Sequence, residues 1–241
     1  MHRYRFLVEY LGTNFSGWQI QPGQSTVQGE LEKALTICLR QTISIVGAGR
    51  TDAGVHGRGQ VAHFDCEEIE DVKKVERSIN ALTPDTIFIR DLEKTGEDFH
   101  ARYSAQARRY HYRIALRPTA LLSKITWYTG FQIDIAKLSS ELQSAMGTHD
   151  FLNFSVPRED GKSTVCEVMR AEVKCEEDLL VITLEANRFL HKMVRSLVGA
   201  SFDVARGALE PGLVQKILQG AFKGERTWAP AHGLCLEKVS Y

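Results

Sequence analysis

The sequence predicts an α+β fold, in which two ferredoxin-like (split βαβ) subdomains pack around a central mixed, mainly antiparallel sheet. Apolar periodicity orders the first half as strand, helix, strand, strand, helix, strand, and the second half repeats that order. No Pro/Gly/Ser-rich linker separates the halves. We therefore expect two subdomains, 1–104 and 105–241, that form one body with a cleft between them.

In the first half, Arg3 to Tyr10 alternates apolar with charged side chains, which is typical of a half-buried strand. Ser25 and Gln28 have the spacing of a capping box, and apolar residues then recur at helical intervals as far as Cys38. The same periodicities predict strands at Ile43–Val46, Gln60–Cys66 and Thr86–Asp91, and a helix at Val72–Leu82 that ends before Pro84.

The second half gives the same kinds of signal. Its predicted strands are Ala107–Leu116, Thr164–Cys175, Leu179–Ala186 and Leu234–Val239. Its predicted helices are Ile135–Met146, Phe189–Val204 and a short one at Leu213–Leu218.

Composition excludes several classes of protein. The chain has 241 residues, with 43% hydrophobic and 25% charged residues, as in ordinary globular proteins. No apolar run approaches the length of a membrane span, and Met1–Tyr10 lacks the apolar core of a signal peptide. The five cysteines are odd in number and form no C-x-x-C pair, so we predict a cytoplasmic protein with no disulfides and no zinc.

Thirty Lys+Arg residues balance thirty Asp+Glu residues, which gives a formal net charge of zero. This balance argues against binding of nucleic acid through bulk charge alone, so any site for a polyanion must come from local clustering of basic residues.

The Gly-rich loop Gly47–Gly59 is the most unusual stretch, and it carries Asp52 between Arg50 and Arg58. It lacks the glycine pattern of a dinucleotide fingerprint and the Gly-Lys-Ser/Thr of a P-loop. Nearby positive charge would keep Asp52 ionised, as a nucleophile or general base requires. The alternative is that Asp52 caps the turn through its own backbone, and the loop alone leaves both interpretations open.

Two histidines near this loop, His56 and His63, suggest a metal site together with Asp65. Their spacing matches no familiar metal-binding motif, so structural or solvated histidines are the favoured interpretation.

Basic clustering occurs between His100 and Arg117, where five arginines and three tyrosines stand without an acidic residue. Successive side chains of a strand point to opposite faces. On the predicted strand, Arg109 and every second residue after it therefore form one face, and Tyr110 and Tyr112 form the other. Such a strand can offer cations to phosphates and an aromatic ring to a base. We expect Tyr112 to be a core residue and Tyr110, near the start of the strand, to be available for binding.

A second basic set, Arg188, Lys192 and Arg195, has the spacing of one face of the predicted helix Phe189–Val204. A solvated stripe is the alternative to a binding role.

Ordered motifs run the length of the chain and include Gly49-Arg50-Thr51-Asp52-Ala53-Gly54-Val55-His56. The others are Tyr10–Gln19, Phe99–Ala105, Arg108–Tyr112, Gly147–Phe151, Phe189–Arg195 and Ala229–Leu234. Together they closely resemble the tRNA pseudouridine synthase A family.

The resemblance implies an enzyme that isomerises uridine to pseudouridine at positions 38, 39 and 40, in the anticodon stem-loop of tRNA. It implies that Asp52 is the catalytic carboxylate, that Tyr110 stacks on the target base and that Arg195 pairs with Asp52 across the cleft. It also implies a homodimer without metal or cofactor. On physical grounds, Arg58, Arg102, Arg108 and Arg109, and Arg50 in the catalytic loop, are expected to bind the RNA, largely through phosphates.

The sequence departs from the family pattern at Cys166, in the block Lys162–Cys166, where relatives usually carry Arg. Two other functions remain as alternatives. An RNA-binding module of the RRM type is the main rival, although no RNP-like string is present. A glycoside hydrolase ranks below it, because the loop offers one carboxylate where such enzymes use two.

Overall fold

The computed structural model describes residues 1–156, 161 and 163–241. The chain divides into two compact units: unit 1 comprises Met1–Gln106 with Cys235–Tyr241, and unit 2 comprises Ala107–Leu234. Both units combine helices with sheets that are mostly antiparallel, so the predicted α+β class is confirmed.

The elements in chain order are the following. The first part holds β1 (His2–Tyr10), α1 (Val27–Leu39), β2 (Val46–Gly47), β3 (His56–Cys66), α2 (Val72–Leu82) and β4 (Ile87–Lys94). The second holds β5 (Ala107–Ala115), β6 (Trp127–Tyr128), α3 (Ile135–Gln143), β7 (Gly147–Asp150), β8 (Val165–Glu176), β9 (Leu179–Ala186), α4 (Met193–Ala205) and α5 (Leu213–Leu218), and the last strand is β10 (Leu234–Ser240).

In unit 1, β1 lies between β3 and β4 and is antiparallel to both. Strand β3 also pairs with β2 in the antiparallel sense and with β10 in the parallel sense. Alternate residues of β1, including Tyr4 and Phe6, are buried in one cluster with Leu31 and Leu35 of α1 and Ile79 of α2. The amphipathic helices therefore cover one face of this sheet, as the apolar periodicity predicts.

In unit 2, the strand order is β5-β9-β8-β7, with every neighbouring pair antiparallel, and the short β6 is parallel to β5. Along β5 the side chains of Tyr110, Tyr112 and Ile114 are buried, whereas Arg109 and His111 are partly exposed. This alternation matches the two faces predicted for the strand. No helix within the described residues is long and apolar enough to cross a membrane.

Several predicted boundaries are wrong for local reasons. Helix α1 is capped by Thr26, whose Oγ1 accepts a hydrogen bond from the Gly29 amide at 3.2 Å, and not by the predicted Ser25–Gln28 box. Strand β3 begins at His56, inside the stretch predicted as loop, because its glycines fit close beside neighbouring strands. Of the predicted strand Ile43–Val46, only Val46 lies in a strand, the two-residue β2.

Helix α4 starts at Met193 instead of Phe189. Lys192, at its N-cap, has a left-handed backbone with φ of 62°, which an α-helix interior does not accommodate. Arg188 therefore precedes the helix, and the predicted stripe of Arg188, Lys192 and Arg195 on one helical face is wrong.

His63 on β3 is a structural residue, 4% exposed, which confirms the favoured interpretation of the histidines. Its Nδ1 accepts a hydrogen bond from the Ala101 amide at 3.1 Å, so the ring must be neutral at this nitrogen. Burial, reinforced by the positive charge of Arg3, lowers the pKa of His63 to about 4.

This lowered pKa predicts a loss of stability on acidification. The unfolded chain binds a proton at His63 near pH 6.5, and the folded protein resists doing so until about pH 4. The free energy of unfolding should fall across this interval by about 3 kcal/mol, at 1.36 kcal/mol per pKa unit.

Urea unfolding at several pH values between 7 and 4 measures this loss. His63→Gln, which cannot titrate, should be less stable at pH 7 and should show a shallower pH dependence. An unchanged slope in that variant would assign the acid sensitivity to other groups.

Candidate active site

The loop that carries Asp52 rests on the segment Gly12–Trp18, within unit 1. The Tyr10 hydroxyl and Thr51 Oγ1 are hydrogen bonded at 2.8 Å. The Trp18 amide donates to the Thr51 carbonyl at 3.1 Å, and the Gly54 amide donates to the Phe15 carbonyl at 3.4 Å. These contacts attach both sides of the loop to the segment that follows β1.

Two glycines allow this close approach. A Cβ on Gly12 would lie 2.0 Å from the Val55 carbonyl oxygen, and one on Gly17 would lie 2.7 Å from that of Thr51. Gly17 also has φ of +95°, a conformation that side chains disfavour. The Gly12 amide donates to Nδ1 of the buried His56 at 2.9 Å, so His56 is structural as well.

Asp52 itself is half-buried at the turn of this loop. Its backbone carbonyl accepts a hydrogen bond from the Val55 amide at 3.1 Å, and Gly54 takes φ of +79°. The main chain thus contributes to closing the turn. The catalytic role of Asp52 and its alternative role as a turn cap both stay predictions.

The predicted RNA-binding arginines of unit 1 have different surroundings. Arg50 is exposed at the start of the loop, and Arg102 is half-buried in the segment between β4 and β5. Arg58 on β3 is paired with Glu237 of β10 at 2.9 Å, its side chain 62% exposed. A phosphate would therefore have to share Arg58 with this carboxylate.

In unit 2, the structure confirms the prediction for Tyr112 and does not test the one for Tyr110. Tyr112 is 1% exposed and donates its hydroxyl to the Pro230 carbonyl at 2.8 Å, and burial raises its pKa, which confirms it as a core residue. Tyr110 is 9% exposed, with its ring edge-to-face with Phe189 at 5.2 Å between centroids. Its ring is thus held by an aromatic neighbour, and its stacking role stays a prediction.

The two neighbouring arginines of β5 contact β9 and the residue that follows it. Arg108 donates to the Asn187 carbonyl at 2.9 Å. Arg109 forms an ion pair with Glu185 at 2.8 Å, with the two side chains 31% and 16% exposed. Both guanidinium groups are thereby oriented before any RNA is present.

Arg195 lies in the first turn of α4 and is half-buried. Its Nε donates to the Ala229 carbonyl at 2.8 Å, and the Ala229 amide donates back to the Arg195 carbonyl at 3.1 Å. This reciprocal contact orients the guanidinium at Nε.

The segment that holds Arg195 is itself held by a buried acid that sequence reasoning missed. Asp203, 2% exposed, accepts hydrogen bonds from the Thr227 amide at 2.6 Å and the Thr227 hydroxyl at 2.7 Å. Gly199 permits the approach, since its Cβ would lie 1.9 Å from the Thr227 carbonyl. The available signal was an acidic residue in the largely apolar stretch Leu197–Ala205 of α4, where a buried acid needs polar partners.

At the departure from the family pattern, Cys166 is 1% exposed and its pKa is raised by burial. Arg188 lies beside it and donates to the Val165 carbonyl at 2.9 Å. Lys162 of the same block lies outside the described residues. All five cysteines are free, and the described part of the chain contains no cluster of three or more His, Cys, Asp or Glu suited to a metal ion.

Comparison with known proteins identifies the family. A family model described as tRNA pseudouridine synthase matches residues 6–104 and 142–241. A protein of Chlorobium phaeovibrioides, named tRNA pseudouridine synthase A, is 40% identical over 100% of both chains. Proteins of the same name from Maridesulfovibrio salexigens and Chlamydia trachomatis are 38% and 36% identical, over 100% and 97% of this chain and 91% and 90% of theirs.

A solved structure, of a Cbf5-Nop10-Gar1 complex, matches with a TM-score of 0.34 and 12% identity over 83% of this chain and 53% of that chain, and we draw no conclusion from it. The family model and the full-length relatives define the class of protein as a pseudouridine synthase, an isomerase. The chain belongs to the tRNA pseudouridine synthase A family.

The surroundings of two glycines predict different changes in stability when each is replaced by alanine. Gly12→Ala should lower the free energy of unfolding by about 1–3 kcal/mol or more, because its methyl group overlaps the Val55 carbonyl. Gly49→Ala should be neutral or stabilising by up to about 1 kcal/mol, because nothing lies within 4 Å of its Cβ and its φ is not positive. Urea unfolding of the two variants checks this, and equal effects would contradict the proposed support of the loop.

Proposed function

We propose that this enzyme isomerises uridine to pseudouridine at positions 38, 39 and 40, in the anticodon stem-loop of tRNA, after flipping the target base, with Asp52 as the catalytic carboxylate. The observation that carries the proposal is the loop Gly49–His56. It matches the family's catalytic motif, and Thr51 and Gly54, on either side of Asp52, are hydrogen bonded to Tyr10 and to the segment that follows β1.

The reaction needs few participants. The bond between N1 of uracil and C1′ of ribose breaks, the base turns, and a bond forms between C5 and C1′. C5 then loses a proton and N1 gains one, so the atoms and charges balance with no oxidant, reductant or cofactor. A positioned carboxylate can serve as nucleophile or general base in such a sequence. Asp52 could do so by attacking the sugar, by attacking the base or by removing a sugar proton.

The target base must be flipped because the enzyme needs access to the glycosidic bond. The glycosidic bond of a stacked uridine is covered by its neighbours, so an enzyme must extrude the nucleotide and hold its base by stacking and hydrogen bonds. We assign the stacking role to Tyr110, whose ring is already oriented by Phe189.

The predicted RNA-binding arginines are assigned mainly to the phosphates, where contacts position the RNA without reading its sequence. Arg108 and Arg109 are preoriented by Asn187 and Glu185. Arg58 is preoriented by Glu237, and Arg50 and Arg102 complete the set. Recognition of the stem-loop by shape fits a site that accepts neighbouring positions.

We assign the reaction to the cytoplasm, where reducing conditions suit five free thiols. No metal or cofactor is part of the proposed mechanism. The family resemblance also supports a homodimer.

The assignment of Asp52 predicts loss of turnover with retention of binding. Asp52→Asn and Asp52→Ala should give no pseudouridine in tRNA transcripts, and Asp52→Asn should still bind them. Asp85→Asn, an exposed acid in unit 1, is the matched control and should be fully active. Carbodiimide labelling and primer extension map the product without added metal or nucleotide.

New signal at positions 38 to 40 with wild-type protein, lost in both Asp52 variants, is the expected result. Wild-type rates in those variants would exclude Asp52 as the catalytic group. Tight tRNA binding without any product from the wild-type protein would instead favour an RNA-binding module that retains the fold.

Arg195 is proposed to pair with Asp52 during the reaction. Arg195→Ala should lower kcat by about 10- to 100-fold, the effect of one charge-assisted hydrogen bond of 1.5–3 kcal/mol. Single-turnover kinetics at saturating enzyme separates this loss from weaker binding. An unchanged single-turnover rate would exclude the pairing.

The homodimer is tested by sedimentation velocity at the concentrations used for activity. A single species at twice the 27.1 kDa chain mass is expected. A monomer that retains full activity would contradict this part of the proposal.

A further inference from the structure

Tyr103 is among the most exposed large side chains of the described residues, with 78% of its surface accessible. It lies in the segment Phe99–Ser104, which joins β4 to β5. Exposed aromatic residues occur singly on many surfaces and need no explanation by themselves. The surroundings of this one are unusual, because its ring is backed by other rings and its backbone is fixed.

The ring of Tyr103 is the outer member of a row of three rings in contact. It lies 4.4 Å from the ring of His100, at 31° between planes, and His100 meets the ring of the buried His63 edge-to-face at 4.8 Å and 61°. His63 is anchored in β3, where its Nδ1 accepts a hydrogen bond from the Ala101 amide. The row therefore extends from the core of unit 1 to the surface and ends in the exposed ring of Tyr103.

The backbone of the segment is fixed around the same imidazole. The amides of Arg102 and Tyr103 both donate to His100 Nδ1 at 3.2 Å. The His100 amide donates to Ser104 Oγ at 3.0 Å, and the Ser104 amide donates to the His100 carbonyl at 2.9 Å. Little conformational freedom remains to be lost when a ligand binds here, which favours affinity.

The ligand class follows from the exposed face. A flat, exposed aromatic face is a surface on which unpaired bases stack. Bases inside a duplex do not offer a free face, so the occupant must be unpaired or terminal.

We propose that Tyr103 is a stacking platform for a second, unpaired base of the tRNA, distinct from the uridine that reacts. This inference rests on the proposed function for its substrate. In that scheme Tyr110 serves the target base, which leaves Tyr103 to bind a neighbouring nucleotide and hold the RNA while the target is flipped.

The test uses the full chain with Asp52→Asn, so that binding is measured without turnover. Tyr103→Ala in this background should weaken tRNA binding by about 5- to 100-fold, the loss of one base stack. Tyr103→Phe should bind as the parent does, since it retains the ring. Phe88→Ala, which removes an exposed aromatic side chain of β4 in the same unit, is the matched control and should also bind normally.

Salt dependence and crosslinking distinguish base stacking on Tyr103 from a merely structural role of this residue. Loss of a stack releases no counterions, so the slope of log Kd against log salt should be unchanged in Tyr103→Ala. With 5-iodouridine placed singly at the unpaired positions of the tRNA, ultraviolet crosslinking should attach one position to the tryptic peptide containing Tyr103. Tyr103→Ala should abolish this crosslink while its melting temperature stays that of the parent.

The outcomes separate the two proposals. If wild-type protein makes pseudouridine but Tyr103→Ala binds tRNA as tightly as the parent, the platform is excluded and the proposed function stands. A weaker complex with an altered salt slope would assign Tyr103 to organising phosphate contacts and would also exclude stacking. If the wild-type protein neither binds nor modifies tRNA, both proposals fail.

Discussion

The position of the candidate catalytic carboxylate depends on close contact between two stretches of main chain. Gly12 and Gly17 let the segment after β1 approach the loop to distances at which any Cβ would overlap a carbonyl oxygen. These contacts between the two stretches determine where the loop places Asp52. A catalytic group that is positioned before the substrate binds needs no reorganisation during the reaction.

Unit 2 repeats this arrangement with different residues. Arg195 is oriented by Ala229, and the Thr227–Ala229 segment is pressed onto α4 through Gly199 and the buried carboxylate of Asp203. The two motifs Phe189–Arg195 and Ala229–Leu234 are distant in sequence but are therefore in contact in the folded protein. The same holds in unit 1, where the block Tyr10–Gln19 supports the block Gly49–His56.

Elements whose apolar periodicity is unbroken could be predicted from the sequence. Tertiary contacts that glycines and buried acids make with distant segments could not. Strand β9 and helix α5 have the predicted bounds, because alternation and helical spacing continue to their ends. The start of α4 was missed because the apolar spacing continues through Lys192, whose left-handed backbone no periodicity reveals. The partnership of Asp203 with Thr227 depends on tertiary packing, and local pattern carries no information about it.

A chain with zero net charge must bind a polyanion by other means than bulk attraction. Two of its candidate arginines, Arg58 and Arg109, are already paired with Glu237 and Glu185. Partly exposed pairs of this kind contribute little stability. In the proposed function, exchanging the carboxylate for an RNA phosphate would therefore cost little, and the acid would orient the guanidinium beforehand. Electrostatic attraction would then be modest, and discrimination would come from shape and from aromatic contacts. The row of rings that runs from the buried His63 to the exposed Tyr103 is proposed to supply such a contact without adding charge.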